Sequence, residues 1–407
     1  MMRSMFSGIS GLKNHQLRMD VIGNNIANVN TLAFKSSRVT FQEVFNQTLQ
    51  GASAPTTARG GTDPLQVGLG MSIGSIDMLG SPGSIQNTGL MTDMAIQGDG
   101  YFVVSDAEQK YYTRAGDFKR DANGYLVTAQ GFKVMGWVAT GGVFGTKNPE
   151  NLTNLNIPIG QSMPACASSR VLFGRNLDCN AALGSVVSTP VDLYDSLGNL
   201  HSITVSFTKV DTNEWSWNAT GAGVSGGDFG TIVFDPQGSF VSSTGGPVTI
   251  DVAGADSMVV ALKFDAVTQS ASSSGASTAE VISTDGYPAG QLTGFSIDPS
   301  GIITGSYSNG ISQPLAQVAL AYFANPGGLV KSGEGVYRDS PNSGVVQIGE
   351  PGTAGRGLIA PASLEMSNID LASEFTNLII TQRGFQANSR IITTSDEMLQ
   401  ELANLKR

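Results

Sequence analysis

Charged side chains are scarce in this chain of 407 residues. Lys and Arg number 23 and Asp and Glu 33, so charged residues make up 14% of the sequence, whereas a typical soluble protein has about 25%. The formal net charge of −10 supplies no basic face that would release counterions from phosphates, which argues against a nucleic-acid partner. Little charge also means little repulsion between copies, as expected of a subunit that associates with itself.

Histidine and cysteine, which supply many catalytic groups and metal ligands, are almost absent. The chain contains only His15, His201, Cys166 and Cys179, with no CxxC pair and no cluster of zinc spacing. We interpret the histidines as structural or solvated and the thiols as free, with a disulfide as the alternative if the protein leaves the cell. Phosphate-binding and nucleophile motifs are missing too. We therefore predict that the protein is not an enzyme and uses no metal or cofactor.

Long apolar runs are also lacking. No window approaches eighteen consecutive apolar residues, so we expect no membrane insertion. The first eight residues contain Arg3 and the small polar residues Ser4 and Ser7 where a secretory signal peptide has an apolar run. The sequence alone therefore predicts neither a membrane span nor a cleaved signal peptide.

Proline is absent from residues 367–407, and Gly384 is the only glycine there. This composition predicts one helix far longer than the mean of about 11–12 residues, with a capping-box-like start at Ser367 and Asp370. Large apolar residues recur along it in steps of three and four, the period of a coiled coil: Leu371, Phe375, Leu378, Phe385, Ile392 and Leu399. Such a stripe favours partner helices, although a long helix packed on its own domain would show the same pattern.

The N-terminus has the same period, through Met5, Ile9, Leu12, Met19 and Ile26. Together with the six C-terminal positions these residues form the predicted seam, which we expect to be buried when the subunit polymerises. Gly8, Gly11 and Gly23 each weaken an isolated helix by about 1 kcal/mol relative to alanine. We therefore predict that residues 1–30 are poorly ordered in a monomer and become helical only against neighbouring copies. The alternative is a short amphipathic helix docked on the protein's own core.

The middle of the chain has the pattern of β-structure. Four Asp-x-x-Gly turns, which begin at Asp121, Asp195, Asp235 and Asp298, separate strands of alternating apolar residues without an intervening helical pattern. This arrangement favours antiparallel meanders over a parallel sheet. Composition changes near residues 140–146 and at the low-complexity segment 270–278 bracket a central block.

We therefore predict a mainly β protein with long terminal α-helices and nested domains. The ends, 1–30 and 362–407, pair as a coiled-coil-like helical domain, and connectors follow at 31–70 and 357–361. Inside them lie a split β domain, 71–145 with 285–356, and an inserted β domain, 146–284.

Two motifs resemble the terminal signatures of bacterial flagellar rod and hook proteins. The first, within residues 20–35, comprises Asn24, Asn25, Ala27, Asn28, Thr31, Phe34 and Lys35, and the second spans residues 381–399. That family usually has glycine before the Phe-Lys pair, where this chain has Ala33, so we predict that the backbone there avoids a positive φ angle. With the segments 112–116 and 192–199, the resemblance covers almost the whole chain and is greatest to the hook subunits of the family.

The resemblance implies a structural function. Hook subunits polymerise into a short curved tube that couples rod to filament, transmits torque and encloses an export channel, with terminal helices inside and β domains outside. It also implies that the main partners are other copies of the chain. Rod proteins, the hook cap, hook–filament junction proteins and the flagellar type III export apparatus are the further implied partners. The expected location is extracellular, in the hook, reached without a cleaved signal peptide.

Two alternatives stay open. A distal rod subunit shares the terminal signatures, but rod proteins usually lack a large inserted domain such as 146–284. A secreted β-rich adhesin or binding module fits the strands rich in Ser, Thr and Gly, but it has no need of paired terminal heptads. Some hook relatives join subunits covalently through cysteine and lysine, which we do not expect here because no lysine lies between Lys147 and Lys209.

Overall fold

The computed structural model of this chain describes residues 2–55, 59–106, 109–158, 160, 162–272 and 275–404. The chain divides into two compact units. The first comprises Met1–Ile157, Ser296–Thr304 and Pro314–Arg407, and the second comprises Pro158–Phe295 and Gly305–Gln313. In sequence, the second unit is thus inserted into the first.

The two ends of the described chain are helical. Helix α1 spans Met2–Ala27 and helix α2 spans Leu371–Asn404, and the two pack against each other. Asp370 caps α2, since its Oδ1 atom accepts a hydrogen bond from the amide of Ala372 at 3.0 Å. The predicted cap at Ser367 is wrong: its hydroxyl is buried before the helix begins and has no hydrogen-bond partner among the described residues.

Helix α1 is formed within a single chain, which contradicts the prediction that residues 1–30 are poorly ordered until copies assemble. The weakness of an isolated helix is offset because α1 packs against α2 and against two strands of the first unit. Gly8 and Gly11, taken above as weak points, are buried in that contact. Packing of a helix face outweighs intrinsic propensity here, as it does in most proteins.

Before the second unit, the chain forms short strands. Their bounds are β1 Ser37–Glu43, β2 Asn46–Gln50, β3 Leu65–Gly68, β4 Met71–Met78, β5 Ile85–Asn87, β6 Met94–Gln97, β7 Tyr101–Asp106, β8 Gln109–Thr113, β9 Lys119–Arg120, β10 Leu126–Val127, β11 Lys133–Val138 and β12 Thr153–Asn154, with a 3-10 turn at Pro149–Asn151. Strands β1 and β4 pair antiparallel beneath α1. The region predicted as a connector, 31–70, therefore contains β1 and the exposed hairpin β2–β3.

The second unit is built from longer strands. They are β13 Ser162–Met163, β14 Arg170–Asp178, β15 Val186–Tyr194, β16 Leu200–Asp211, β17 Glu214–Gly221, β18 Val224–Gly226, β19 Phe229–Phe234, β20 Phe240–Ser243, β21 Val248–Ile250, β22 Met258–Ser270 and β23 Glu280–Thr284. One sheet has the order β15–β16–β17–β19–β20 and the other β18–β21–β22–β14–β23, with β14 parallel to β22. Their inner faces share one apolar core, which includes Trp215 and Trp217.

The division between the units falls within the next three strands, and the chain then completes the first unit. These elements are β24 Gly290–Ile297, β25 Ile302–Tyr307, β26 Ser312–Val318, β27 Leu320–Tyr322, β28 Val330–Gly333, β29 Val336–Arg338, β30 Gln347–Gly349, β31 Leu358–Pro361 and β32 Ser363–Glu365, with a 3-10 turn at Pro326–Gly328. In the first unit, β7 pairs with β8, β11 and β27. Aromatic side chains fill its core, with Tyr112 and Phe323 edge to face at 4.8 Å.

All four predicted Asp-x-x-Gly turns are present. In each, the glycine amide donates to the carbonyl of the aspartate: Gly124 to Asp121, Gly198 to Asp195, Gly238 to Asp235 and Gly301 to Asp298, at 2.9–3.1 Å. The glycines have φ angles between 76° and 88°, which a side chain would strain. Together with the paired terminal helices, these strands confirm the predicted fold class.

The unit boundaries differ from the predicted domain limits at 146 and 284. Residues 146–157 stay with the first unit because β12 pairs with β11, and the amide of Leu155 donates to the carbonyl of Val134 at 2.8 Å. Residues 285–295 belong to the second unit, where Asp285 accepts hydrogen bonds from the amides of Ser169 and Arg170.

Candidate assembly surface

The terminal helices form an antiparallel pair through four matched positions. Going down α1 and up α2, Gly8 lies against Ile392, Gly11 against Asn388 and His15 against Gly384. One turn further, the guanidinium of Arg18 donates to Oδ1 of Asn377 at 3.4 Å. The contact line therefore runs along the middle of α1, from Gly8 to Arg18.

Glycine makes this contact close. A Cβ atom placed on Gly11 would lie 2.6 Å from Nδ2 of Asn388, and one placed on Gly384 would lie 2.8 Å from two ring atoms of His15. Carbon atoms in van der Waals contact are about 3.5–4.0 Å apart. Neither glycine accepts a side chain unless its neighbour moves.

The contact line passes through Gly8, Gly11, His15 and Arg18 of α1 and through Asn377, Gly384, Asn388 and Ile392 of α2. Five of these positions precede a predicted seam residue by one: they stand before Ile9, Leu12, Met19, Leu378 and Phe385. Ile392 alone belongs to both lines. One residue turns a helix by about 100°. The predicted seam is therefore a flank beside the intramolecular contact.

This position leaves the predicted seam partly open in a single chain. Ile9, Leu371 and Phe375 are exposed, at 45%, 39% and 50% of their surface, and Ile379 beside them is 51% exposed. The other seam members are half-buried: Met5, Leu12, Met19, Ile26, Leu378, Phe385, Ile392 and Leu399. Of these, Ile392 also contacts α1, at Gly8.

His15 lies at the centre of the helix pair. Its ring meets Phe41 of β1 edge to face, with ring centroids 5.6 Å apart. The guanidinium carbon of Arg18 lies 5.7 Å from the centroid of the same phenyl ring. Burial, with a further contribution from the charge of Arg18, lowers the pKa of His15.

The N-terminal motif fastens α1 to β1. Asn25 is buried, its amide donates to the carbonyl of Ser37 at 2.9 Å, and its Oδ1 accepts from the amide of Ser37 at 3.0 Å. After the helix, Asn28 donates to the carbonyl of Asn24 at 2.9 Å and accepts from the hydroxyl of Thr31 at 3.0 Å. Ala27 itself is exposed. These hydrogen bonds fix the turn that leads into Phe34 and Lys35.

Lys35 belongs to a buried group of charges. Its Nζ atom lies 2.5 Å from Oε1 of Glu365, and Nη1 of Arg114 lies 3.2 Å from both carboxylate oxygens of Glu365. The side chains of all three residues are at most 3% exposed. Burial, only partly offset by Glu365, lowers the pKa of Lys35. This buried triad joins the chain after α1, the chain before α2 and the β-strands between them.

The prediction for Ala33 is wrong, because its φ angle is 54°. Its amide donates to the carbonyl of Glu365 at 2.9 Å, and the turn brings Lys35 onto the carboxylate of the same residue. Next to it, Asn368 accepts from the amide of Ser36 and donates to the carbonyl of Leu79. The strain of a left-handed alanine is held by these surrounding contacts.

The described part of the chain has the features of neither a metal site nor a membrane-spanning helix. No group of three or more His, Cys, Asp and Glu side chains there has an arrangement that would hold a metal ion. No described helix combines the length and the apolar character needed to cross a membrane. Cys166 and Cys179 are free, the first exposed and the second half-buried.

Four family descriptions match along the chain. They are "Flagella basal body rod protein" at residues 5–35, "Flagellar hook protein FlgE/F/G D1 domain" at 95–162, "Flagellar basal body protein FlaE D2 domain" at 174–287 and "Flagellar basal body rod FlgEFG protein C-terminal" at 360–405. Flagellar hook protein FlgE of Borreliella burgdorferi is 43% identical, with all of both chains covered. This chain belongs to the flagellar hook protein family. FlgE of Treponema pallidum is 41% identical over the whole of both chains.

The family assignment confirms the resemblance found in the two terminal motifs. The protein is a structural subunit of the flagellar hook and not an enzyme. A solved structure with a similar fold is that of Helicobacter pylori flagellar hook protein FlgE2, with a TM-score of 0.54 and 18% identity, covering 69% of this chain and all of that one.

Sequence reasoning found the motif residues but missed several of their partners. Glu365 stands 330 positions from Lys35 and carries no local signal. The glycines were read as helix-weakening, although their spacing of three on α1 and their register opposite His15 and Asn388 make them contact positions. Lys35 is the single charged residue of the motif listed above, and this was the one sign in the sequence that it needs a buried carboxylate partner.

Proposed function

We propose that this hook subunit polymerises through its terminal helices, and that neighbouring copies cover the predicted seam. The observation that carries the proposal is the exposed flank of α2. One face of α2 contacts α1 through Asn377, Gly384, Asn388 and Ile392. Leu371, Phe375 and Ile379 stay exposed on another side of the helix. Apolar side chains in a row on a helix about 50 Å long mark an interaction surface. A second copy of the same chain supplies apolar surface of the same kind.

The polymer that follows has layers. The terminal helices α1 and α2 form the inner tube around an export channel, and the short strands within 31–70 and 357–361 lead out of it. The remaining strands of the first unit and the second unit form the outer layers, whose contacts change as the curved tube turns. The buried triad of Lys35, Arg114 and Glu365 supports this arrangement, because it ties the helices to the β-strands that would carry torque.

The membership of the chain in the hook family supports the remaining partners. The tube joins rod proteins below to hook–filament junction proteins above, and it grows beneath a hook cap protein. Subunits reach this extracellular position through the flagellar type III export apparatus, without a cleaved signal peptide.

The alternative of a distal rod subunit has one relative in its favour. Flagellar basal-body rod protein FlgG of Bacillus subtilis is 33% identical over the whole of both chains. The hook assignment stands because hook proteins of Borreliella burgdorferi and Treponema pallidum are 41–43% identical over the same extent. Immunogold labelling of isolated hook–basal bodies separates the two, since a hook subunit labels the curved segment and a rod subunit the straight one.

Phe375→Asp tests the assembly surface. Phe375 is half-exposed in the single chain, so the substitution should leave the fold intact, yet it would bury a charge at every repeat of the polymer, at a cost of several kcal/mol. We expect purified full-length Phe375→Asp to remain monomeric where the parent chain forms tubes, as seen by electron microscopy and sedimentation. Phe385→Asp, at a half-buried seam position, should have the same effect.

The matched control is Thr376→Asp, which adds the same charge to the next residue of α2, on a different side of the helix. It should assemble. Normal tubes from Phe375→Asp, or equal failure of both variants, would remove the flank from the assembly surface and leave the seam assignment without support.

A further inference from the structure

His15 occupies a position that suits a neutral ring. It packs against Gly384 of α2 and edge-on against Phe41 of β1. Its Nδ1 atom is buried and has no hydrogen-bond partner among the described residues. An unprotonated nitrogen tolerates this environment far better than an N–H group, because a buried donor without an acceptor loses its hydration with nothing in return.

Protonation would place a charge as well as a donor in the helix contact. Arg18, one turn along α1, already holds a positive charge beside the same phenyl ring. The other charged groups on the elements packed around this position are Arg3, Lys13 and Asp20 of α1, Arg38 and Glu43 of β1, Asp77 of β4, and Glu374, Arg383, Arg390, Asp396, Glu397 and Glu401 of α2. None of them forms an ion pair or hydrogen bond with His15 in the described chain, and Asp77 pairs with Arg38 instead, at 3.5 Å. A proton on His15 therefore has no counter-charge in contact with it.

We propose that His15 makes the terminal helix pair acid-labile: when His15 takes up a proton, α1 separates from α2. The separation concerns a single chain, and only its consequence, loss of assembly in acid, rests on the proposed function. The direction is set because burial and Arg18 lower the pKa of His15 below the ordinary histidine value of about 6.5. Above a pH of about 6.5, His15 is neutral and stabilises the helix pair fully. As the pH falls from there to the pKa of His15 in the folded chain, this stabilisation is lost. The fraction of chains with separated helices then rises by up to about tenfold per pH unit.

His201 is the matched control, because it is the only other histidine. Its Nε2 atom lies 3.1 Å from Oδ2 of the buried Asp195, so a proton on His201 meets a carboxylate. Burial opposes ionisation of Asp195, but hydrogen bonds from Asn199, His201 and backbone amides outweigh it and lower the pKa of Asp195 to about 2. This carboxylate therefore titrates far below the range in which His15 acts.

The experiment follows the two histidines and the helix distance in the full chain. Ring-proton NMR from about pH 8 to pH 5 gives two histidine titrations, which His15→Gln and His201→Gln assign. Spin labels at Lys13→Cys and Gln386→Cys, both exposed, in a chain with Cys166→Ser and Cys179→Ser, report the distance between α1 and α2. We expect the distance distribution to broaden on acidification in the parent chain and in His201→Gln, and to stay narrow in His15→Gln and His15→Asn.

The inference fails if the helices stay paired in the parent chain at a pH where NMR finds His15 protonated, or if His15→Gln and His15→Asn open as the parent does. Sedimentation of assembled tubes at the same pH values tests the consequence. Helices that open while tubes persist would support the role of His15 and count against assembly through the terminal helices, so the two failures are distinguishable.

Discussion

The second unit and the terminal helix pair use large apolar side chains in opposite ways. In the second unit they lie inside: Phe173 stacks on Phe264 at 5.3 Å, and both meet Phe207 edge to face, with Trp215 and Trp217 buried beside them. In the helix pair, contact is made mainly by glycine, histidine and asparagine, with Ile392 against Gly8 and Arg18 bonded to Asn377, while Phe375 and Ile379 remain exposed.

This difference separates stability from assembly. Apolar area buried within the chain stabilises that chain by about 25 cal/mol per Å², and the second unit uses its aromatic residues in this way. Apolar area left exposed stabilises nothing until another molecule covers it. The helix pair is thus held by close backbone approach, which leaves bulky side chains such as Phe375 exposed, where the proposed assembly would cover them.

Removing an aromatic residue from the second unit should give the largest loss of stability. Trp215 is fully buried in the core of that unit, and truncating a buried tryptophan to alanine costs about 3–5 kcal/mol. We expect Trp215→Ala to lower the free energy of unfolding of the second unit by that amount, measured by urea denaturation with circular dichroism.

Phe229→Ala is the control, because Phe229 lies on the same sheet but is 73% exposed. Its cost should stay within about 0.5 kcal/mol. Equal effects of the two variants would mean that the second unit is not stabilised by its interior, and the contrast with the helix pair would disappear.

Neutralising Glu365 should have the next largest effect, in the first unit. Glu365→Gln leaves Lys35 and Arg114 buried without their counter-charge, which we expect to cost about 3 kcal/mol. The control is Glu350→Gln, whose carboxylate lies 2.8 Å from Lys147 in a partly exposed pair. Solvent screening keeps such a pair near the roughly 0–1 kcal/mol of surface ion pairs. Thermal unfolding of the full chain measures both. A Glu365→Gln protein as stable as Glu350→Gln would show that the buried triad does not hold the helices to the strands.

Local chemistry made much of this fold predictable. Each of the four turns forms within four residues, because the amide of the glycine donates a hydrogen bond to the carbonyl of the aspartate three residues earlier. The turns begin at Asp121, Asp195, Asp235 and Asp298. The terminal helices followed from the period of apolar residues and the lack of proline. Each of these signals lies within a few turns of chain, and none depends on a distant partner.

What could not be predicted depends on distant contacts or on ambiguous periodicity. The partner of Lys35 stands at the other end of the chain, and the positive φ angle of Ala33 exists because Glu365 holds the turn. The error in the helix contact has another cause. Two rows of residues that are offset by one position along a helix repeat with the same period. Periodicity therefore located the large apolar residues of α2, but it could not show that α1 packs against the neighbouring row.

The smallest expected effect tests whether α1 and α2 pack through the glycine positions. Gly384→Ala places a Cβ atom 2.8 Å from the ring of His15, and overpacking of this kind costs about 1–3 kcal/mol, against a gain in helix propensity of up to about 1 kcal/mol. Gly23→Ala has no atom within 4 Å of the new methyl group and keeps only the gain. We expect the thermal midpoint of the monomeric full chain, followed by circular dichroism, to fall in the first variant and rise in the second. If Gly384→Ala rises as well, then α1 and α2 are not in close contact at His15, and the large residues of the predicted seam return as the candidates for holding the pair together.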